Sequence, residues 1–146
     1  GVSALIRQDD ALLAGLGLET LLPGVEVRVW NDDPAEDWIA RAAGAGMGVV
    51  LADFAVAHTA SIVTLSARGK GRSVSLLPPA LAAVIPTGRL FTRLGEVLTL
   101  FDETGREGLP AGIHFISGPS RSADIENDLT IGVHGPGIAY ALIVDA

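Results

Sequence analysis

Three stretches of the chain carry the residue types from which a site for a small anion is built. The loop Ser66-Ala67-Arg68-Gly69-Lys70-Gly71-Arg72-Ser73 holds three cations and two glycines. Guanidinium and ammonium groups neutralise phosphate or carboxylate, and glycine lets backbone come close to a ligand. It is not a phosphate-binding P-loop, because Lys70 is followed by Gly71 where Ser or Thr is required. The second stretch is Gly118-Pro119-Ser120-Arg121-Ser122-Ala123-Asp124-Ile125-Glu126. It reads as a sharp turn between a buried strand at 113–117 and a short helix, where free N–H groups and the positive end of the helix dipole face a crevice. Arg121 would clamp a carboxylate or phosphate, Ser120 would cap the helix, and Asp124 would orient Arg121 or act on a proton. The third, Gly132-Val133-His134-Gly135-Pro136-Gly137, sets His134 in a turn where its ring can serve as acid, base or donor. Asp53 and Thr59 lie at a strand end, where α/β proteins form sites.

Each stretch also has a plainer reading. Arg68, Lys70 and Arg72 can make a loop tip soluble by charge alone. Ser120, Asp124 and Glu126 suit the first turn of a helix whether or not anything binds there. Loop histidines are often merely exposed, and capping accounts for Asp53 and Thr59 nearly as well as binding does. His58, His114 and His134 are too scattered for a metal centre, so no metal is expected.

The elements that would position these residues can be read from apolar runs and turn signals. Residues 25–30 alternate as a strand, with Asp33 as helix cap, Pro34 at the first helical position and a helix running through Trp38 to Ala43. Strands are expected at 48–51 and 62–65, with 54–58 as a connection. Strand–helix–strand order favours a parallel sheet. Residues 74–77 and 81–85 read as strands separated by Pro78-Pro79, which cannot sit in a central ladder. Leu90, Leu94, Val97, Leu98 and Phe101 recur at helical spacing, predicting a helix over 88–101 and a polar loop over 103–112. A closing strand covers 139–144, and Trp30 and Trp38 belong in the core. The fold class is therefore α/β, a mostly parallel sheet flanked by helices.

Composition narrows the function classes. The 146 residues are 49% hydrophobic and 18% charged, which fits one folded domain. No apolar run approaches the ~20 residues of a membrane span. There is no signal-peptide pattern, so a cytoplasmic location is expected. The chain has no cysteine, which excludes disulfides, thiol catalysis and a self-ligated iron–sulfur cluster. Net charge is −7, yet residues 54–95 contain no Asp or Glu and five cations. A local cationic pocket in an acidic body suits a small anionic ligand and argues against nucleic acid. No dinucleotide-binding glycine fingerprint follows a strand, so the cofactor is unknown. The chain opens Gly-Val-Ser and its single methionine is Met47, as if the natural start were missing.

With these residues in view, the chain resembles the LUD-domain family, specifically the lactate utilization protein C (LutC/YkgG) group. The resemblance rests on Gly118-Pro119-Ser120-Arg121-Ser122-Ala123-Asp124-Ile125-Glu126 followed by Gly132-Val133-His134-Gly135-Pro136. Gly71-Arg72-Ser73-Val74-Ser75-Leu76-Leu77-Pro78-Pro79 and Ala52-Asp53-Phe54-Ala55-Val56-Ala57 reinforce it, so that it spans residues 51–144. It implies a single LUD domain over 1–146 and a fold like that of the glucosamine-6-phosphate deaminase, ribose-5-phosphate isomerase and CoA-transferase group. It also implies a part in oxidising L-lactate to pyruvate beside separate iron–sulfur subunits. One departure stands out: the family has an acidic residue and Thr-Gly-Thr where this chain has His58-Thr59-Ala60-Ser61. Ala60 therefore places a β-carbon where the family has none.

Three functions follow as expectations, and whether the chain is itself an enzyme stays open among them. One is a component of a lactate-oxidising system that holds a small carboxylate through Arg121 and the basic loop, with Asp124 and His134 at the chemistry. Another is a stand-alone enzyme or binding protein for a sugar phosphate or CoA ester. The last is a non-catalytic assembly subunit for iron–sulfur partners.

Overall fold

The computed structural model describes residues 1–31, 33–123 and 129–146. In chain order its elements are β1 (Ala4–Arg7), α1 (Ala11–Gly15), α2 (Leu18–Leu21), β2 (Glu26–Val29), α3 (Trp38–Ala43) and β3 (Met47–Leu51). There follow β4 (Phe54–Val56), β5 (Ser61–Leu65), α4 (Ser73–Leu76), β6 (Ala80–Pro86), β7 (Leu90–Phe91) and α5 (Leu94–Thr104). The chain closes with β8 (Ile113–Ile116), β9 (Arg121–Ser122), β10 (Thr130–Ile131) and β11 (Ile138–Val144).

The main sheet has the order β11-β6-β3-β1-β2 and every pair in it is parallel. Parallel strands must be covered on both faces, which is why they read as unbroken apolar runs. Ile6, Val50, Leu81, Ala83 and Ile85 line one face, against Trp38 and Ala42 of α3 and Val74 of α4. Leu5, Val49, Leu51, Ala82 and Val84 line the other, against Leu13 of α1. The alternation of neighbours between the two sets is the two-residue period of a strand. The chain is thus α/β, with a parallel sheet flanked by helices.

A second sheet, β7-β4-β5-β8, leans on the first and is mostly antiparallel. Its outer face is covered by α5, whose Val97 is buried with Val56 and Val63. Phe54 meets Phe101 edge-on at 5.5 Å between ring centroids. Residues 54–58, expected as a connection, supply β4, because Ala55 packs in one core cluster with Ile62 of β5 and Val56 in another with Val63.

Three other expectations are corrected. Residues 74–77 form a helical turn, not a strand. Val74 N–H bonds Gly71 O, and Leu77 N–H bonds Ser73 O, while β6 already occupies the ladder beside β3. The helix expected over 88–101 begins only at Leu94, since Leu90 and Phe91 pair with β4. It continues to Thr104, with Glu96 accepting from the Arg93 N–H at its start. α3 is capped by Asp37, which accepts from Ile39 and Ala40. Asp33 instead caps a turn at Ala35, and its carbonyl takes the Trp38 indole N–H. β1, in the middle of the sheet, had no counterpart in the sequence reading.

Candidate functional site

Within the main sheet the chain runs first from β1 outward to β2 and then returns to the far side of β1 as β3. At such a reversal the loops at the carboxyl ends of the two central strands part in opposite directions and leave a crevice. Here Gln8 follows β1 directly. Its buried side-chain oxygen accepts from Leu51 N–H at 2.8 Å, tying the end of β1 to that of β3. To one side of it, past the ends of β1 and β2, Asp9, Asn31, Arg68 and Gly69 line a polar crevice of about 520 Å³. Arg68 is exposed.

The basic loop reaches this crevice because two of its glycines allow it. Gly69 O accepts from Asp9 N–H at 2.9 Å, and a β-carbon on Gly69 would stand 2.6 Å from the Asp9 carbonyl. A β-carbon on Gly71 would fall inside the Trp30 indole. These glycines therefore permit close approach to the protein's own backbone and ring, not to a ligand. Asn31 donates to Arg68 O at 3.4 Å. Lys70 turns inward and meets Asp53 Oδ1 at 2.6 Å, both side chains largely buried. The other Asp53 oxygen accepts from Leu65 N–H at 2.8 Å. Arg89 closes the same corner by donating to Ala52 O at 2.9 Å.

Asp53, Arg68 and Lys70 are thus brought to one corner of the fold. Arg72 is exposed at the start of α4, where its carbonyl accepts from Ser75. Thr59 lies at the other end of the β4–β5 hairpin, where its hydroxyl oxygen accepts from Ser61, which touches Ser117 at 2.6 Å. Ser120, Arg121 and His134 form a separate group. The strand–turn–helix junction expected there does not form at residues 121–122, which pair as a strand with β10. Ser120 N–H is taken by Pro136 O, and His134 N–H reaches Ser120 Oγ at 3.3 Å. The second Gly/Pro turn thus engages both the N–H and the hydroxyl oxygen of Ser120. Asp124 lies outside the described residues. His114 is half-buried in β8 with its Nε2 2.9 Å from Ser66 Oγ. No group of three or more metal-binding side chains occurs among the described residues.

Gln8, Asp9 and Asn31 were missed by the sequence reading. The available signal was the step from the apolar Leu5-Ile6 to the polar Arg7-Gln8-Asp9-Asp10, the pattern of a buried strand ending at a site.

Ala60 takes φ +49°, in the left-handed region. A β-carbon there costs about 1–2 kcal/mol, partly offset by the extra freedom glycine has when unfolded. Ala60→Gly is expected to stabilise the fold by roughly 0.5–1 kcal/mol, read as a higher urea midpoint at unchanged slope. A lower midpoint would show that the β-carbon contributes more by packing than it costs in strain.

Comparison with known proteins gives concordant results. The family model described as LUD domain matches residues 10–144. The chain is similar to lactate utilization protein C of Halalkalibacterium halodurans, 42% identical over 97% of this chain and 62% of that one. The like-named protein of Shouchella clausii is 38% identical over 99% and 64% of the two chains. That of Bacillus subtilis is 36% identical over 97% and 62%. The chain therefore spans less than two thirds of the length of these curated relatives. Among solved structures, a DUF162 family protein from Deinococcus radiodurans superposes with a TM-score of 0.59 at 20% identity. The match covers 99% of this chain and 88% of that one, and it shows the shared fold. No helix among the described residues is long and apolar enough to cross a membrane.

Proposed function

Because the chain belongs to the LUD-domain family, we propose that it serves a lactate-utilization system by holding a small 2-hydroxy carboxylate in the crevice at the carboxyl ends of β1 and β2. The observation that carries this reading is the donor set of that crevice. Arg68 offers a guanidinium for the carboxylate, Asn31 an amide, and Asp9 an acceptor for the hydroxyl. The buried Lys70–Asp53 pair and the Gln8 bridge hold the walls in register. Names of the relatives support lactate as the acid. Taking two electrons and two protons, one from the hydroxyl-bearing carbon and one from its hydroxyl, would then fall to iron–sulfur partners, since this chain has no cysteine to ligate a cluster. Arg121 and His134 stand apart from the crevice and have no part in this reading.

Thermal shift and calorimetric titration with L-lactate, pyruvate, ribose 5-phosphate and CoA test it. A ligand at 100 times its Kd adds about 2.7 kcal/mol to stability. L-Lactate is expected to raise Tm, Arg68→Ala to abolish the shift, and the pair Arg121→Ala/His134→Ala to leave it intact. Asp9→Ala is expected to weaken lactate more than pyruvate, which has no hydroxyl to donate. A shift with ribose 5-phosphate or CoA alone would move the assignment to a phosphorylated ligand. A lactate shift that survives Arg68→Ala would place the ligand elsewhere.

A further inference from the structure

Among the described residues, β11 forms one edge of the main sheet and is bonded to a neighbour, β6, on one side only. Its seven residues, Ile-Ala-Tyr-Ala-Leu-Ile-Val, contain no charge and no proline. Natural proteins usually blunt an exposed edge with such residues, because a bare apolar edge is a template for another strand. Four large side chains stand open here: Ile138 at 51%, Tyr140 at 51%, Leu142 at 49% and Ile143 at 59%. They lie on both faces of the sheet. Tyr140 and Leu142 share a face with their register partners Ala82 and Val84, whereas Ile143 shares the opposite face with Ile85. A helix laid on the sheet would cover one of these sets and leave the other bare. A strand added at the edge packs beside both sets at once.

The strand's own sequence indicates which strand. We infer that β11 pairs antiparallel with β11 of a second copy about a two-fold axis through Ala141. In that register the small Ala141 faces its own counterpart, and Tyr140 lies opposite the partner's Leu142. Ala139 then faces the partner's Ile143, and Ile138 the partner's Val144. Aromatic–aliphatic and large–small pairs across strands are the stabilising kind. The interface is isologous and closes on itself, so it stops at two copies. A groove of about 210 Å³ gives independent support, because it lies beside β11 between Ile62, Ile116, Ala83, Ala139 and Ala141. The side chain that comes opposite Ala139 is the partner's Ile143, which would enter this groove. The outcome is one ten-stranded sheet running through both copies.

The chain's lack of cysteine makes a decisive cross-linking test possible. Paired residues of antiparallel strands have Cα atoms about 4.5–5.5 Å apart, within disulfide reach. Ala141→Cys is therefore expected to give a covalent dimer on mild oxidation. Ala139→Cys should not, because its counterpart would lie roughly 14 Å away along the strands. In sedimentation at tens of micromolar, the unmodified chain should show twice its mass of 15.0 kDa. Leu142→Glu, at an exposed position and checked for folding by circular dichroism, should weaken the dimer by about 100-fold. A monomer in the unmodified chain overturns the inference and leaves the edge to further polypeptide of the longer relatives or to another protein. Equal cross-linking of both cysteine variants, or a dimer that survives Leu142→Glu, overturns it as well.

Discussion

Replacing Asp53 by alanine is expected to cost the protein about 3 kcal/mol, more than half of what a marginally stable domain has. The carboxylate has two partners that water does not replace. One oxygen neutralises Lys70 at 2.6 Å and the other accepts from the Leu65 backbone at 2.8 Å. Only 15–17% of either side chain reaches solvent. Removing Asp53 leaves an ammonium without its counter-charge and a strand N–H without an acceptor, and both penalties fall on the same corner. Removing both charges is a different matter. The double variant Asp53→Leu/Lys70→Met is expected to recover half or more of the loss, because the pair's attraction largely repays its own desolvation. Urea unfolding of the three proteins decides the point. A single variant within about 1 kcal/mol of the parent would mean that water enters and screens Lys70.

Gly48→Ala is expected to be as damaging for a purely steric reason. A β-carbon at this position of β3 would collide with the Val74 carbonyl, and Pro78 Cγ stands 3.3 Å away. The obstacle is backbone, so no rotamer change relieves it. α4 would have to lift off the sheet and take Val74 out of the core. Overpacking of this kind costs typically 1–3 kcal/mol and more where backbone must move, so a loss of about 3 kcal/mol or failure to fold is expected. Gly88→Ala is the control, since open space surrounds that residue and its φ is ordinary. Equal midpoints for the two variants in denaturant would show that α4 is not held against β3 as described.

The parts of the fold legible in the sequence were those dictated by burial on both faces. Runs such as Gly48-Val49-Val50-Leu51 and Leu81-Ala82-Ala83-Val84-Ile85 have no other use in a chain of this size, and they became β3 and β6. Short runs whose fate depends on neighbours were not legible. Val74-Ser75-Leu76-Leu77 is apolar enough for a strand, yet the ladder it would join is taken. Periodicity alone does not separate a four-residue strand from a helical turn. Leu90 and Phe91 fit the stripe of the following helix but are claimed by β4. At the site, composition pointed to the loop bearing Arg68 and Lys70, and the structure sets it at the reversal of strand order. Gln8, Asp9 and Asn31 escaped notice because their importance comes from where β1 and β2 end, which is a property of sheet order and not of local residue type. The glycines and prolines around Ser120 are those of an anion-binding junction, and in the fold the Ser120 N–H is bonded to Pro136 O.

The two tryptophans of this chain, Trp30 and Trp38, are neighbours, with ring centroids 6.3 Å apart. Gly71 of the basic loop rests against the first. All the indole fluorescence of the protein therefore arises at one spot, beneath the loop that carries Arg68 into the crevice. Light emitted there needs no label to report on that loop. While Gly71 stays seated, Trp30 is shielded on that side, and if the loop lifts, water reaches the ring and the emission moves to the red. The chain thus contains its own optical gauge of crevice opening, which can be followed in real time as a ligand is added.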